Sequence, residues 1–291
     1  MSARISETDL ILNKDGSLYH LNLKPGDIAP IILTVGDPGR VHRISRHFDT
    51  VDFEMNKREF ITHTGKYKGK RITVISSGMG TDNVEVLMTE LDALVNMDFK
   101  EREWKEKRQK LYVIRVGTSG SIQEDVRLGT HVVSEYGVGL DTLMSFYNLQ
   151  LDDFEKEVGL DLQKYIGLNF TPYCVRGSDI LFNLFRSIGT PGNTLTCPGF
   201  YAPQGRNMTG DNKFPDLEST LNYFHNDAFW LTNIEMETAG YYGLARIMGH
   251  EALSVNAIIA NRIRKKFSKD PNRIIDSMIR KVLDIIASSD L

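Results

Sequence analysis

The stretch Pro30-Ile-Ile-Leu-Thr-Val-Gly-Asp-Pro-Gly-Arg40 joins a continuous apolar, β-branched run to a glycine turn, and a helix-like segment (41–48) follows it. Uninterrupted runs of this kind are typical of strands that are buried on both faces of a parallel sheet. A strand, a glycine turn and a helix start together present backbone N–H groups to an anion. The stretch therefore predicts an α/β fold and an anion site at the turn after its first strand.

Strand-like and helix-like segments alternate along most of the remaining chain, without a Pro/Gly-rich linker or a repeat. This alternation predicts a single α/β domain around a central mixed sheet that is flanked by helices, preceded by a polar lead-in at 1–17. The predicted strands are 51–54, 58–65, 71–76, 111–116, 126–136, 173–176, 193–197 and 252–260. The predicted helices are 84–95, 152–166, 180–188, 214–229, 239–248 and 272–287.

Composition excludes several classes of function. The chain has 291 residues, of which 41% are hydrophobic and 25% charged, with a net charge of -3, so it has no electrostatic footprint for nucleic acid. No apolar run approaches a membrane span, and the amino terminus lacks a secretory signal's apolar core, so we expect a cytoplasmic protein that binds no membrane. Cys174 and Cys197 are expected to be buried free thiols. The charged run at 99–110 predicts a solvated helix end or a surface insertion.

Arg115 stands inside an apolar run, Leu111–Val116, that is followed by Gly-Thr118-Ser119-Gly. A charge at the end of a buried strand needs a partner, because burying it unpaired costs several kcal/mol. Ligands of α/β proteins bind at the carboxyl edge of the sheet. The arginine and the two hydroxyls therefore predict a phosphate site at that edge.

Two carboxylates, Glu235 and Glu237, precede a small-residue turn in Asn233-Ile-Glu-Met-Glu-Thr-Ala-Gly240. Side chains two residues apart face the same side of an extended strand, and a carboxylate that faces a cleft accepts hydrogen bonds from hydroxyl groups. The alternative is a solvated acidic pair at a helix start, where the helix dipole favours negative charge. The window alone does not decide between the two.

The loop Pro198–Arg206 contains an aromatic pair, Phe200 and Tyr201, beside Gln204. A planar heterocycle could stack on a ring while the amide and the guanidinium of Arg206 read its edge. A surface loop with a packed aromatic is the alternative.

Two glycine pairs fail as dinucleotide-binding loops. Gly78-Met-Gly80 lacks the third glycine, because Asn83 stands there, and Gly137-Val-Gly139 fails in the same way at Thr142. The sequence also lacks a Walker lysine pattern, so we predict neither a dinucleotide nor a nucleoside triphosphate as the ligand.

Four of these motifs, 35–40, 115–120, 200–206 and 235–238, stand in an order that resembles the nucleoside phosphorylase-I family, most closely its uridine-cleaving members. The resemblance extends over roughly 18–290, and it implies one phosphorylase domain at 18–291 with a twisted, partly barrel-like sheet. It also implies reversible phosphorolysis of uridine to uracil and ribose 1-phosphate, with inorganic phosphate as co-substrate and no cofactor.

The resemblance assigns residues to each part of the substrates. Catalytic roles fall to Arg115, Arg206 and Glu237. Phosphate would be held by Gly36, Arg40, Arg58, Arg115 and Thr118, with Arg58 reaching in from a neighbouring subunit. Ribose would be bound by His20, Glu235, Met236 and Glu237, with His20 crossing the same interface. Uracil would be bound by Ser119, Gly120, Phe200, Gln204, Arg206, Ile259 and Arg262.

The resemblance also implies a homo-oligomer with active sites at the interface, either a dimer or a hexamer. Family members from bacteria bind a monovalent cation, here potassium, at that interface through residues that correspond to Glu59, Met79 and Asn83. Asn83 replaces the usual serine.

Other functions stay open. A purine nucleoside phosphorylase or a methylthioadenosine-type nucleosidase would carry an aspartate after the final buried strand, but this strand ends in Asn261-Arg262. Asparagine is a poor general acid, so a pyrimidine substrate is favoured. A non-catalytic nucleoside-binding or storage protein would not need Arg40, Arg115 and Glu237. A generic phosphate-binding α/β enzyme requires the four motifs to be coincidental.

Overall fold

A computed structural model describes residues 4–227 and 229–291. In these ranges eleven strands form one mixed β-sheet and seven α-helices surround it. The strands are β1 Ile31–Val35, β2 Thr50–Lys57, β3 Phe60–Tyr67, β4 Lys70–Ser76, β5 Met97–Asp98, β6 Glu103–Trp104, β7 Tyr112–Ser121, β8 His131–Gly139, β9 Tyr173–Arg176, β10 Thr190–Thr196, β11 His225–Asn226, β12 Phe229–Trp230, β13 Asn233–Glu235, β14 Glu251–Asn261 and β15 Lys266–Phe267. The helices are α1 Pro38–Ser45, α2 Thr81–Asn96, α3 Asp153–Ile166, α4 Asp179–Phe185, α5 Leu217–Tyr223, α6 Thr238–Met248 and α7 Pro271–Ser288.

Part of the sheet closes into a five-stranded barrel. β7 pairs with β14, β14 with β8, β8 with β10, β10 with β13, and β13 again with β7. The open part continues from β7 through β1, β4 and β3 to the edge strand β2, while β5–β6 and β11–β12 are separate hairpins. The single α/β domain with a partly barrel-like mixed sheet is therefore confirmed.

One edge of β7 changes partner along its length. β14 pairs with β7 over its whole length on one side, from Tyr112 to Ser121. On the other side β1 pairs with residues 112–115, and β13 pairs only with residues 120 and 121. The backbone of residues 116–119 is left between the end of β1 and the start of β13. A change of strand partner of this kind opens a crevice where ligands of α/β proteins bind.

Helices cover the sheet through apolar faces. On α2 the side chains of Val84, Leu87, Met88 and Leu91 are fully buried at helical spacing. Each such side chain contributes about 1.5–3 kcal/mol by its removal from water. α2 packs with α6 in one core, whereas α1, α4 and α7 belong to a second core on the open part of the sheet.

Several element boundaries differ from the sequence-based prediction. α1 begins at Pro38, three residues earlier than expected, because Asp37 caps it by accepting a hydrogen bond from Gly39 N at 2.9 Å. The helix predicted at 214–229 ends at Tyr223, where the chain turns into the β11–β12 hairpin. β7 does not end at Val116 but continues through the Gly-Thr-Ser-Gly motif.

The charged run at 99–110 is not wholly solvated. Most of its side chains are exposed, but Arg102 is buried. Its guanidinium donates to the carbonyl oxygens of Ile5 at 2.8 Å, of Ser6 at 2.5 Å and of Leu10. Arg102 thereby ties the amino-terminal segment to the β5–β6 hairpin.

Both cysteines, Cys174 and Cys197, are free and buried, as expected. Burial raises the pKa of each thiol well above its usual value. Among the described helices, none has the length and apolar character that crossing a membrane requires.

Candidate functional site

The crevice at the free edge of β7 opens into a cavity of about 700 Å³. Most of the residues predicted for phosphate, sugar, base and cation lie on its wall. Those lining residues are Gly36, Glu59, Met79, Arg40, Arg115, Thr118, Ser119, Gly120, Phe200, Gln204, Arg206, Glu235, Met236, Glu237 and Ile259. The structure thus brings together four motifs that are far apart in sequence.

Arg40 lies at the end of the cavity next to the β1–α1 turn. Only 8% of its surface is exposed, and its Nη1 donates to the carbonyl oxygen of Val116 at 3.1 Å, on the free edge of β7. Its Nε has no hydrogen-bond partner among the described residues. Burial, opposed by the charge of Asp37 and assisted by the positive charge of Arg115, lowers the pKa of Arg40 to about 10. A buried guanidinium with an unused donor indicates an anion site.

The guanidinium of Arg115 lies over Gly117 of its own strand, and both of its Nη atoms contact other side chains. Its Nη2 contacts Glu235 at 2.9 Å and Glu237 at 2.5 Å, while its Nη1 donates to Asn256 Oδ1 at 2.7 Å. Burial alone would lower the pKa of Arg115, but the two carboxylates outweigh burial and keep the pKa above its usual value. A Cβ at Gly117 would lie 1.8 Å from Nη1, so this placement requires glycine.

Glu235 is saturated by contacts within the chain. Its oxygens accept from Thr196 Oγ1 at 2.6 Å, Glu237 N at 2.9 Å and Thr238 N at 3.0 Å, in addition to Arg115. These bonds join the end of β13 to the start of α6. The prediction that Glu235 binds ribose stays a prediction, and a sugar hydroxyl would compete with these contacts.

Glu237 has fewer internal partners. It is 5% exposed, accepts from Gly80 N at 2.8 Å and contacts Arg115. The alternative of a solvated acidic pair at a helix start is wrong, because Glu235 and Glu237 are both buried and both contact Arg115. A carboxylate can accept several hydrogen bonds, so Glu237 retains capacity for hydroxyl groups of a ligand.

Another part of the cavity wall is formed by Phe200, Gln204 and Arg206. The Arg206 guanidinium carbon lies 3.6 Å from the centre of the Phe200 ring. Its Nη1 donates to Phe200 O at 2.5 Å and to Gln204 Oε1 at 2.6 Å. Burial lowers the pKa of Arg206 to about 10, and the nearby charge of Arg262 contributes. Because Gln204 and Arg206 both line the cavity, this part of the wall offers N–H donors to a planar, oxygen-bearing ring.

Four predicted residues lie outside the cavity wall. The Arg58 guanidinium is exposed and lies 5.3 Å from the centre of the Tyr19 ring, next to His20. His20 Nδ1 contacts Glu90 Oε1 at 2.6 Å. Within a single chain, neither Arg58 nor His20 reaches the cavity.

The other two lie behind the wall. Arg262 packs against Gly120 and lies 3.8 Å from Glu218. Asn83 lies behind Gly78, where the Glu59 side chain also packs, so the predicted cation ligands lie near one another.

Sequence reasoning missed several residues of the site. Phe267 of β15 also lines the cavity, and Asn256 of β14 accepts a hydrogen bond from Arg115. The signal for Asn256 was its placement in Ser254-Val-Asn256, where every second residue of a buried strand is polar. Such alternation marks one face of a strand that contacts other polar groups.

A family model described as the phosphorylase superfamily matches residues 30–285. A uridine phosphorylase from Thermococcus kodakarensis is 31% identical, over 95% of this chain and 89% of the relative. A purine nucleoside phosphorylase, DeoD-type 2, from Vibrio cholerae is 26% identical, over 91% of this chain and 96% of the relative.

Solved structures show the same architecture. A Trypanosoma brucei nucleoside phosphorylase, described as showing uridine phosphorylase activity, superimposes with a TM-score of 0.89 at 27% identity, over 97% of this chain and 100% of the relative. A structure from work on uridine phosphorylases of the oomycete Phytophthora capsici has a TM-score of 0.70 at 24% identity, over 99% of this chain and 100% of the relative, and supports the fold alone.

Proposed function

Because the chain belongs to the phosphorylase superfamily, we propose that it catalyses the reversible phosphorolysis of uridine to uracil and ribose 1-phosphate. The observation that carries the proposal is the set of groups in one cavity. This cavity is lined by a buried arginine that has no ion-pair partner among the described residues, by a buried carboxylate, and by an amide–guanidinium pair on an aromatic ring. The uridine phosphorylase relatives support the same substrate.

Inorganic phosphate would occupy the end formed by the Gly36 turn, Arg40 and Thr118. Arg40 supplies a charge without a carboxylate partner of its own, and the backbone at the start of α1 adds N–H donors. Arg115 also faces this end, but its charge is already balanced by Glu235 and Glu237. We therefore assign most of the attraction for phosphate to Arg40, with Arg115 orienting it.

The ribose would lie in the middle of the cavity, on Met236 and beside Glu237. Glu237 accepts hydrogen bonds from the 2′- and 3′-hydroxyl groups, which holds the anomeric carbon over the phosphate. Phosphate attacks that carbon as the glycosidic bond breaks, so the protein needs no covalent nucleophile. Positioning of this kind accounts for several kcal/mol of barrier lowering.

The uracil would lie against Phe200, with Gln204 and Arg206 at its edge. As the glycosidic bond breaks, the leaving base becomes anionic, and the contact with Arg206 strengthens at that moment. An interaction that is stronger in the transition state than in the ground state accelerates the reaction. Ile259 lines the same end, and Arg262 supports it from behind Gly120.

Purine phosphorolysis is the second candidate, since the Vibrio cholerae relative is a purine nucleoside phosphorylase. A purine leaving group needs a proton donor near the base. The acids on the described cavity wall are Asp37, Glu59, Glu235 and Glu237, and none of them belongs to the loop that carries the amide–guanidinium pair. Asn261, at the end of β14, donates both of its side-chain hydrogen bonds to backbone carbonyls. Because Asn261 therefore does not supply a proton to a purine, uridine is the favoured substrate.

We also propose that two chains complete each site. Arg58 and His20 lie close to each other, next to Tyr19. Met79, on the cavity wall, is exposed. In a homodimer these residues would reach the phosphate and the ribose of the neighbouring site. A potassium ion near Glu59 and Asn83, a hexameric assembly and a cytoplasmic location stay predictions.

A nucleoside panel tests the function. Purified protein is incubated with uridine, thymidine or inosine, each with and without inorganic phosphate, and base release is measured. We expect uracil release from uridine that requires phosphate. Base release from inosine but not from uridine would support the purine alternative. Release that does not need phosphate would indicate a nucleosidase. The absence of release from every nucleoside would contradict catalysis.

A further inference from the structure

Ser119, which lines the cavity, is the last member of a chain of hydrogen-bonded side chains that crosses the interior of the barrel. Each member is buried, and consecutive members lie on different strands. The contacts are Arg115 Nη1 to Asn256 Oδ1 at 2.7 Å, Asn256 Nδ2 to Ser134 Oγ at 3.2 Å, Ser134 Oγ to Thr194 Oγ1 at 2.6 Å, Thr194 Oγ1 to Asn233 Oδ1 at 3.0 Å, and Asn233 Nδ2 to Ser119 Oγ at 2.9 Å.

Arg115 fixes the direction of the first two bonds. A guanidinium has only donors, so the carbonyl oxygen of Asn256 must face it. The NH₂ group of Asn256 must then face Ser134 and donate to its Oγ. The orientation of this amide therefore follows from the charge of the arginine.

The remaining bonds follow in turn. Ser134 Oγ accepts from Asn256, and Thr194 Oγ1 is the only acceptor among the described residues for its own O–H, so Ser134 donates to Thr194. The Thr194 hydroxyl must then donate to Asn233, whose carbonyl oxygen therefore faces it. The NH₂ group of Asn233 then donates to Ser119 Oγ. Every proton in the chain points from Arg115 towards Ser119.

Ser119 Oγ is thereby an acceptor from within the protein, and its own proton has no acceptor among the described residues. We infer that Ser119 donates a hydrogen bond to an acceptor oxygen of the nucleoside, and that Asn256, Ser134, Thr194 and Asn233 are positioning residues that enforce this role. The inference rests on the proposed function for the identity of the ligand. An oxygen of the base that gains negative charge during bond cleavage would be stabilised by this proton.

The direction of these hydrogen bonds can be reversed by one substitution that hardly changes the shape of the side chain. In Asn256→Asp the carboxylate beside Arg115 has no proton to give, so Ser134 must donate to it. Thr194 then donates to Ser134, the amide of Asn233 turns over, and its carbonyl oxygen takes the proton of Ser119. All bonds of the chain are kept, but the hydroxyl of Ser119 no longer serves the ligand.

Kinetics of single and double variants test this reversal. We expect kcat/KM for uridine to fall roughly tenfold in Asn256→Asp and similarly in Ser119→Ala, the effect of one hydrogen bond. The double variant should be no worse than Ser119→Ala by more than about twofold. Asn193→Asp makes the same substitution on β10. Among the described residues, the Asn193 side chain forms one hydrogen bond, to the Trp230 carbonyl oxygen, and we expect little change in kcat/KM.

Two kinetic results would overturn the inference. One is an unchanged kcat/KM in Asn256→Asp. The other is a loss that multiplies in full with that of Ser119→Ala, because damage through Arg115 or through folding would add independently of Ser119.

Neutron diffraction from deuterium-exchanged crystals of the ligand-free protein gives a second test that needs no variant and no activity. We expect deuterons on Asn233 Nδ2 facing Ser119, and none on Ser119 Oγ facing Asn233. The opposite placement refutes the inference. Absence of turnover on every nucleoside would instead refute the proposed function and leave this reading of the protons intact.

Discussion

At the residue scale, the two arginines of the phosphate end differ in how their charge is balanced. Arg115 is neutralised by two carboxylates, whereas Arg40 forms no ion pair among the described residues. An unpaired buried charge costs several kcal/mol, and the chain bears that cost without a ligand. A bound anion would relieve it, so Arg40 contributes to binding while it weakens the free protein.

We predict opposite effects for Arg40→Met and Arg43→Met on the same helix. Arg40→Met should raise the KM for phosphate roughly tenfold to a hundredfold, the effect of a hydrogen bond to a charged group, without lowering the melting temperature. Arg43 pairs with Asp276 at 2.8 Å, so its loss should lower stability by up to about 1 kcal/mol and leave the KM unchanged. Phosphate titrations and thermal unfolding measure both; a destabilised Arg40→Met with normal phosphate affinity would contradict this reading.

A second prediction concerns Arg206, which contacts Phe200 and Gln204 at the base end. Arg206→Ala should lower kcat/KM for uridine roughly a hundredfold, because in the proposed mechanism it removes the charge that faces the leaving base. Folding should be little affected, because the side chain is only half-buried. Lys213→Ala removes an exposed cation from the same loop and serves as the control. Turnover like that of the wild type in Arg206→Ala would remove Arg206 from the mechanism.

Motif residues could be placed in a site from sequence because their types are unusual where they stand. An arginine at the end of a buried strand and an amide beside a guanidinium after an aromatic pair both indicate a ligand. Asn256 could not be placed in this way. Its partner Arg115 is distant in sequence, and the contact depends on the register between β7 and β14.

At the element scale, the strands that are buried on both faces were predicted from their apolar, β-branched runs, because such runs are stable in the interior of a sheet that is covered on both sides. The continuation of β7 through Gly117–Gly120 was not predicted, because glycine and hydroxyl residues normally indicate a turn. The strand keeps its course there because β14 pairs with it on one side, and Gly117 makes room for the arginine.

The amino-terminal segment gives a prediction at this scale. Arg102 donates to backbone carbonyls of Ile5, Ser6 and Leu10. Arg102→Ala should therefore speed hydrogen exchange at the amides of Ile5 and Leu10, as local opening becomes easier. Lys107→Ala, an exposed charge of the same run, should leave exchange unchanged. Equal exchange in both variants would show that the segment is held by its apolar contacts alone.

At the scale of the whole molecule, the candidate site depends on a closed barrel, and its residues come from both ends of the chain. The family resemblance predicted the barrel, but residue patterns alone did not, since closure depends on β13 and β14 both reaching β7. The same patterns cannot show which surface meets another chain. Arg58 and His20 lie outside the cavity of their own chain, and our proposal that a second chain completes each site rests on that position.

Subunit mixing tests this assembly. Arg40→Met and Arg58→Ala should each be impaired alone, but mixed dimers would contain one site with both wild-type arginines. Because random pairing makes half of the dimers mixed, we expect about one quarter of wild-type activity after unfolding and refolding the two variants together. Activity equal to the mean of the separate variants would show that each chain completes its own site.

The unpaired edge of β7 between β1 and β13 also bears on how such enzymes diverge. The main-chain amides and carbonyls of this edge are present whatever the surrounding side chains are. Substitutions can therefore change the side chains that line the crevice and still leave these backbone groups in place. Proteins that descend from one ancestor could in this way change their specificity from one nucleobase to another while the phosphate stays bound at the same position.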